Sequence, residues 1–453
     1  MKELWRQSSF RWYWLGLFLS GLGNQFGWMA LTWFVMNKTG SSAAMGGVVL
    51  AYNIPAVLVG LVAGVLLDRF DRRKLIMLDN VLRGLIFFAL VVLLQMEGTP
   101  LWLVYVLIVI AGMLSPLSSA GAQTLLPRLV MDKSLLVKAN GLMESQWQIT
   151  YLFGPAVAGV LIAWIGAANV LVVDAISFFL CAFCFARLKP AAGSGSFAVG
   201  RMDEKEAEKV QGKAAESGGG TGVVAIGPFL RSLAADIRTG YRYLLGRRRL
   251  LWLVLFTFFF NMAYGPVEVG LPLYAKNDLD GGAVSLGLLW SAMAAGALLG
   301  SILFSAVTWK IPTGVTLAAI IGLWGITTLP LALFTRTDVA LLAMGLAGLS
   351  FSPYNILYRS HLQKHVPEEL LGRVLTSVRT ITGTGMPAGA AAAGWLIPVC
   401  GVQGLFGAAS VVCAATGLLA FMALRRLDEP ELLPVQQGGE EALHAVGQHR
   451  IEQ

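Results

Sequence analysis

Few of the 453 residues could do chemistry, and several that could lie where charge is costly. Glu144, Asp174, Glu268 and Arg379 interrupt long uncharged stretches, as do Asp79 and Arg83, which stand four residues apart. An ionisable side chain at the middle of a membrane helix costs about 2.5–3.5 kcal/mol on insertion scales, so each needs a partner or a task. Asp79 and Arg83 share one helix face and can neutralise each other, which favours a structural pair. For Glu144, Asp174 and Glu268 the chemistry on offer is uptake and release of a proton. The alternative for each is an interhelical hydrogen bond or a side chain that snorkels to an interface.

Other chemistry finds no framework. The sequence has no GxxxxGK[ST] phosphate loop and no HExxH, and His361, His365, His444 and His449 all fall in predicted loops or the tail. Cys181 and Cys184 form a CxxC on one turn of an apolar run, with no second pair nearby, and are expected to be small core residues. No metal, no cofactor and no enzymatic activity are expected.

What must hold these residues is a set of membrane helices. The chain is 56% hydrophobic and 13% charged, and a bilayer core takes about 20 apolar residues per helix. Uncharged runs predict an all-α membrane protein with spans at about 12–36, 43–67, 75–96, 101–123, 139–163 and 168–187, then 250–274, 283–307, 311–334, 338–358, 371–396 and 402–424. Pro398 and Gly401 divide the last two. The first span has no short apolar core with a cleavage site and is expected to be retained. Allotting loops alternately from a cytoplasmic N-terminus places 29 of the 34 Lys and Arg inside, the positive-inside pattern. Only Lys38, Lys276 and Arg336 fall outside. The net charge of +8 therefore speaks for topology in a cell membrane, with lipid as partner, and against nucleic acid.

Residues 1–188 and 249–425 are expected to form two six-helix bundles. Between them, 189–227 holds GSGS, RMDEKEAEKVQGK and SGGGTG, a composition that cannot bury a core and predicts a mobile cytoplasmic linker. Residues 228–248 carry Phe229, Leu233, Ile237, Tyr241 and Leu244 at helical spacing, which predicts an amphipathic helix on the inner membrane face. The polar tail, 426–453, is expected to be disordered and cytoplasmic. A weak repeat relates Val130–Gly159 to Val366–Gly389, each a charged loop leading into a helix with mid-span Gly and Pro. Duplicated halves place a substrate site between them at the midplane. Candidates to line it are Asn24, Gln25 and Trp28, Asn53, Gln146, Asn261 and Tyr264, Asn355 and Arg379. Polar groups among aromatics suit a bulky amphiphile.

Between the second and third spans lies a knot of charge, Asp68, Arg69, Asp71, Arg72, Arg73 and Lys74, preceded by Gly64. Gly64, Asp68, Arg69, Arg72 and Arg73 resemble the signature loop between helices 2 and 3 of the major facilitator superfamily, with Asp71 standing where that pattern has a second glycine. The resemblance implies twelve helices in two pseudo-symmetric six-helix bundles. It also implies an ionic latch in which Asp68, with Arg72 and Arg73, holds the halves together on the cytoplasmic side. Thr150–Gly159 (TYLFGPAVAG) is similar to that superfamily's antiporter motif, keeping Gly154, Pro155 and Gly159. The chain as a whole looks like the proton-coupled macrolide efflux and enterobactin export branch. That implies export of a drug, macrolide or siderophore in exchange for protons, by a monomer. Leu135–Glu144 (LLVKANGLME) also resembles the superfamily's lysophospholipid transporters, so a lipid substrate stays open, as does a non-transporting sensor or scaffold.

Overall fold

The computed structural model describes residues 2–130, 133–188, 237–279, 281–306, 311–425 and 427, without the side chains of 2, 62, 64–66, 68, 69, 133, 134, 368 and 369. The expected linker 189–227, the first part of the predicted amphipathic helix, the side chains of Asp68 and Arg69, and nearly all of the tail lie outside the described residues.

Every described element is helical. A short α1 (Lys2–Arg6) leads into α2 (Ser8–Thr39), α3 (Ser42–Arg69), α4 (Arg72–Gln95), α5 (Leu101–Leu129), α6 (Lys133–Ile165) and α7 (Ala167–Ala186). After a helix at 237–245, α8, come α9 (Arg248–Asn277), α10 (Gly282–Ala306), α11 (Thr313–Thr328), α12 (Pro330–Leu333), α13 (Thr337–His365), α14 (Glu368–Gly383) and α15 (Gly385–Leu424). Two of the predicted spans come in pieces. Leu329 joins α11 to α12, and Thr384 joins α14 to α15, both with right-handed helical backbone, so each pair runs on as one span. The division expected near Pro398 falls at Gly401, whose φ of 72° turns α15 back on itself. Only a residue without Cβ takes that conformation cheaply. His361 and His365, expected in a loop, belong to the last turns of α13, which runs on past the uncharged part of its span.

Among the described residues ten helical stretches are long and apolar enough to cross a membrane, the last of them the 55 residues Leu370–Leu424 that turn at Gly401. The 32-residue α2 adds the first predicted span. Backbone groups in hydrocarbon must be satisfied internally, which leaves helices as the economical form for such runs. The outward faces are apolar as well as the inward ones: Trp164 is 81% exposed and Trp395 79%. In water that surface would be a liability, and against lipid tails it is the solvent-facing side.

Helices α2 to α7 pack into one group, with α2 on α6 and α7, α3 on α5, and α4 on α5 and α7. Helices α9 to α15 form a second, with α9 and α11 on α15 and α10 on α13. The groups meet along α6 with α10 and α3 with α15. Both seams lie at the end away from the 68–74 loop. There Gly159 sits against Ala283 and Gly287, Ala156 N–H donates to Ser291 Oγ at 3.1 Å, and Ser42 Oγ donates to the Gly394 carbonyl at 2.9 Å. Small residues let these backbones touch, so the two groups close on each other at this end.

Helix α8 was expected on a membrane face. Its described part docks on protein instead: Gly240 leaves room for the Arg373 carbonyl and Ser377 of α14, Ser377 Oγ donates to the Ile237 carbonyl at 3.3 Å, and Leu244 is 1% exposed. Of the apolar stripe read from the spacing, Leu244 is covered, whereas Phe229 and Leu233 lie outside the described residues.

Candidate functional site

Where the two groups face each other near mid-span they enclose a cavity of about 240 Å³. From the first group Gln25, Trp28 and Met29 of α2, Tyr52 and Asn53 of α3, and Tyr151 and Pro155 of α6 form its wall. From the second come Tyr264 and Glu268 of α9, Trp290 of α10 and Met386 of α15. Glu268 carries the only carboxylate in this lining, and it is 8% exposed. Trp28 Nε1 donates to Glu268 Oε1 at 2.5 Å, a hydrogen bond that crosses from one group of helices to the other. Trp28 also leans on Tyr52 at 5.5 Å between ring centroids, and Tyr264 packs among Trp290, Trp324 and Phe351 at 6.0–6.2 Å. Aromatic faces are electron-rich, so a ring-lined chamber with one carboxylate attracts positive charge.

Residues 13–387 match the sequence profile of the Major Facilitator Superfamily. The chain belongs to this family. It is a multi-pass membrane transporter of that fold. The "Multidrug efflux pump Tap" of Mycobacterium tuberculosis H37Rv is 25% identical over 407 residues, 88% of this chain and 90% of that one. "Macrolide efflux protein A" of Streptococcus pyogenes is 22% identical over 420 residues, 92% of this chain and 96% of that one. Among solved structures the nucleoside transporter NupG superposes with a TM-score of 0.70 at 13% identity, covering 92% of this chain and 99% of that one. A peptide transporter of the POT type, in complex with sulfate, gives 0.68 at 14%, covering 93% of this chain and 94% of that one. At such identities these two structures speak for the fold alone.

The facilitator fold distributes the residues singled out from the sequence unevenly. Gln25, Trp28, Asn53, Tyr264, Glu268 and Pro155 reach the cavity. Asn24 lines an adjoining pocket that shares Gln25, Trp28 and Tyr52. Gln146 and Glu144 lie instead on a larger polar vestibule of about 880 Å³ within the first group, reached from the loop end. Glu144 is exposed there and accepts from Gln148 Nε2 at 3.3 Å. Asn261 ties α9 to α14 by donating to the Thr382 carbonyl at 2.9 Å. Asn355 and Arg379 are exposed and are not in the cavity lining. Met29, Tyr52, Tyr151, Trp290 and Met386 went unread in the sequence, because one aromatic or methionine among many in an apolar span carries no mark of the face it occupies.

The two family-like motifs have local explanations in the backbone. Asp71, the departure from the loop pattern, is the N-cap of α4: its carboxylate accepts from the amides of Arg73 at 2.9 Å and Lys74 at 3.2 Å. An acid there satisfies free N–H groups and faces the positive end of the helix. Arg72 donates to the Leu67 carbonyl at 3.1 Å and the Thr124 carbonyl at 3.4 Å, and Arg73 to the Phe185 and Ala186 carbonyls. These contacts place cations on the negative ends of α3, α5 and α7. In the second motif, Gly154 leaves room for Gln25 of α2, and Gly159 and the Pro155 carbonyl meet α10 at Gly287.

Asp79 and Arg83, read as a neutralising pair, are near enough for their charges to act on each other but make no direct hydrogen bond. Arg83 turns from Asp79 to donate to Asn24 Oδ1 at 2.5 Å and lies 4.2 Å over the Phe178 ring, while both Asp79 carboxylate oxygens are buried without a hydrogen-bond partner. Spacing of four residues permits a pair on a bare helix, but here α2 and α7 offer Arg83 better-placed partners.

Proposed function

We propose that the chain is a secondary transporter that moves hydrophobic or amphiphilic small molecules, preferably cationic ones, out of the cell in exchange for protons. Glu268 carries this reading: a lone carboxylate in an aromatic chamber, hydrogen-bonded across the two helix groups by Trp28. The same oxygens can hold a proton or face a cation but not both, so the two ligands compete for one group and their movements become opposed. The names of the relatives, a multidrug efflux pump and a macrolide efflux protein, favour the outward direction.

The excess of Lys and Arg at the 68–74 end makes that end cytoplasmic. The conformation is then open inward, ready to take substrate from the cytoplasm or inner leaflet, and sealed outside along α6–α10 and α3–α15. Rocking the groups would open the outer seams and bring the Asp68, Arg72 and Arg73 region against the second group, where the latch engages. Accumulation of a panel of fluorescent amphiphiles, measured in cells with and without the protein and with and without a protonophore, tests the reading. The protein should lower accumulation of cationic dyes, the protonophore should abolish the effect, and Glu268→Gln should remove it while the protein still inserts. Unchanged accumulation across the panel, or efflux indifferent to both protonophore and Glu268→Gln, would dispose of it.

A further inference from the structure

Behind α2, on the side away from the cavity, is a second set of ionisable groups that the substrate chamber does not use. Asp174 of α7 is 0% exposed and Asp79 of α4 1%, with Arg83 of α4 at 3%. Asp174 points at α2, where Gly23 and Gly27 leave room for it; a Cβ at Gly23 would come within 2.7 Å of Asp174 Oδ1, and one at Gly27 would overlap Oδ2. Its Oδ1 has one long contact, from Ser177 Oγ at 3.4 Å, and its Oδ2 has none. Both oxygens of Asp79, Nε of Arg83 and Oε1 of Gln146 are likewise buried without a partner. Gln146 and Arg83 line the polar vestibule, whereas Asp79 and Asp174 stand behind Arg83 and are absent from its lining.

The groups around the carboxylates come from every neighbouring helix. Besides Asp79 and Arg83, α4 adds Asn80; α7 adds Cys181 and Ser177; α3 brings Tyr52; α5 brings Ser118; α6 brings Gln146, with Glu144 farther out on the vestibule. α2 supplies Ser20, Asn24 and the two glycines, none of them charged. Arg83 is the one fixed cation against two acids. With all three ionised, a negative charge stands uncompensated in an apolar interior, which costs several kcal/mol. One added proton cancels it.

We propose that Asp79, Arg83 and Asp174 form a proton-binding site that holds a single proton on one of the two carboxylates grouped around Arg83, separate from the substrate cavity. Arg83 is its door: swung onto Asn24, as here, it separates the acids from the vestibule, and swung back towards Asp174 it opens the way for the proton to leave towards the vestibule. The proton is the only species transferred, passing from a carboxylic acid to water. Asp174 grips α2 from behind at Gly23 and Gly27 while Trp28, on the front of the same helix, grips Glu268, so loss of the proton is felt at the substrate cavity through the position of α2. This rests on the proton-coupled reading above for its purpose, though not for its existence.

Infrared difference spectra of the purified protein between acid and alkaline buffer read the site without substrate or transport. The carbonyl band of a buried protonated carboxylic acid should be present in Glu268→Gln, where Glu268 adds nothing to it, and should be lost when Asp79→Asn and Asp174→Asn are added to that background. In proteoliposomes, Asp174→Asn should bind a fluorescent lipophilic cation within about twofold of the unaltered protein, yet lose accumulation driven by an imposed pH gradient. Asp79→Asn should do the same, which guards against a folding defect peculiar to one variant. A band that survives the double substitution in a Glu268→Gln background, or pH-driven transport that survives both single ones, overturns the site. If the unaltered protein shows the band and its loss on double substitution but no pH-driven transport, the site stands and the export reading falls.

Discussion

The hydrogen bond from Trp28 to Glu268 does at one point what the seams do along their length. A carboxylate taken out of water needs donors, and Glu268 has the Trp28 indole, supplied by the opposite group of helices. Hydrogen bonds to charged groups contribute about 1.5–3 kcal/mol, so Trp28→Phe, which keeps an aromatic ring against Tyr52 but removes the donor, should loosen the closed outer end. The expected result is a rise in labelling of outer-seam positions by membrane-impermeant reagents and at least a severalfold change in transport rate. Asp71 gives a second test at this scale. Asp71→Ala deletes an N-cap and should cost about 1 kcal/mol, read as a lowered Tm in detergent. Asp71→Gly, which restores the glycine of the family pattern, should cost less than Asp71→Ala, because glycine is itself tolerated at N-caps. A Tm unmoved by Asp71→Ala would show the cap to be idle.

Helices were legible in the sequence because uncharged length is the strongest signal a membrane protein gives, and the turn at Gly401 was legible because proline and glycine interrupt a 45-residue uncharged run. The docking of α8 on α14 was not, since an apolar stripe reads alike whether lipid or protein covers it. Nor could spacing show that Arg83 leaves Asp79 for Asn24, a contact made by a helix 59 positions earlier in the chain. The cavity was half legible for the same reason: polar residues such as Gln25, Asn53 and Glu268 stand out in apolar spans, whereas Tyr151, Trp290 and Met386 blend in. The glycine seam between α6 and α10 carries an element-scale prediction. A Cβ on Gly287 would press into the Pro155 carbonyl, so Gly287→Leu must either separate the two helices or strain them, at about 1–3 kcal/mol for overpacking. Because that seam exists only while the outer end is shut, the cost falls on one conformation, and the variant should favour the outward-open form. Cysteines placed along α6 and α10 near Gly159 should become more reactive to external reagents in the Gly287→Leu background; equal reactivity would mean the seam does not hold the gate.

At the scale of the molecule, the proposed transport requires two groups of helices that close at one end at a time. Locking the shut end therefore should stop transport without touching the cavity. Gly394 of α15 and Ala43 of α3 face each other across the second seam, where a Cβ on Gly394 would lie 3.0 Å from Ala43 Cα, so cysteines at the two positions would be immediate neighbours. In a background where the exposed Cys400 is replaced by Ser, the pair Ala43→Cys and Gly394→Cys should cross-link under mild oxidation. Efflux should then fall to the level of cells lacking the protein, and a reducing agent should restore it. A cysteine at Lys74 should meanwhile remain labelled only by reagents that cross the membrane, locked or not, if the 68–74 end lies on the cytoplasmic side as proposed. Efflux that continues with the cross-link formed would mean substrate passes without the α3–α15 seam ever parting, and a Lys74→Cys that reacts with impermeant reagents in intact cells would turn the molecule over in the membrane.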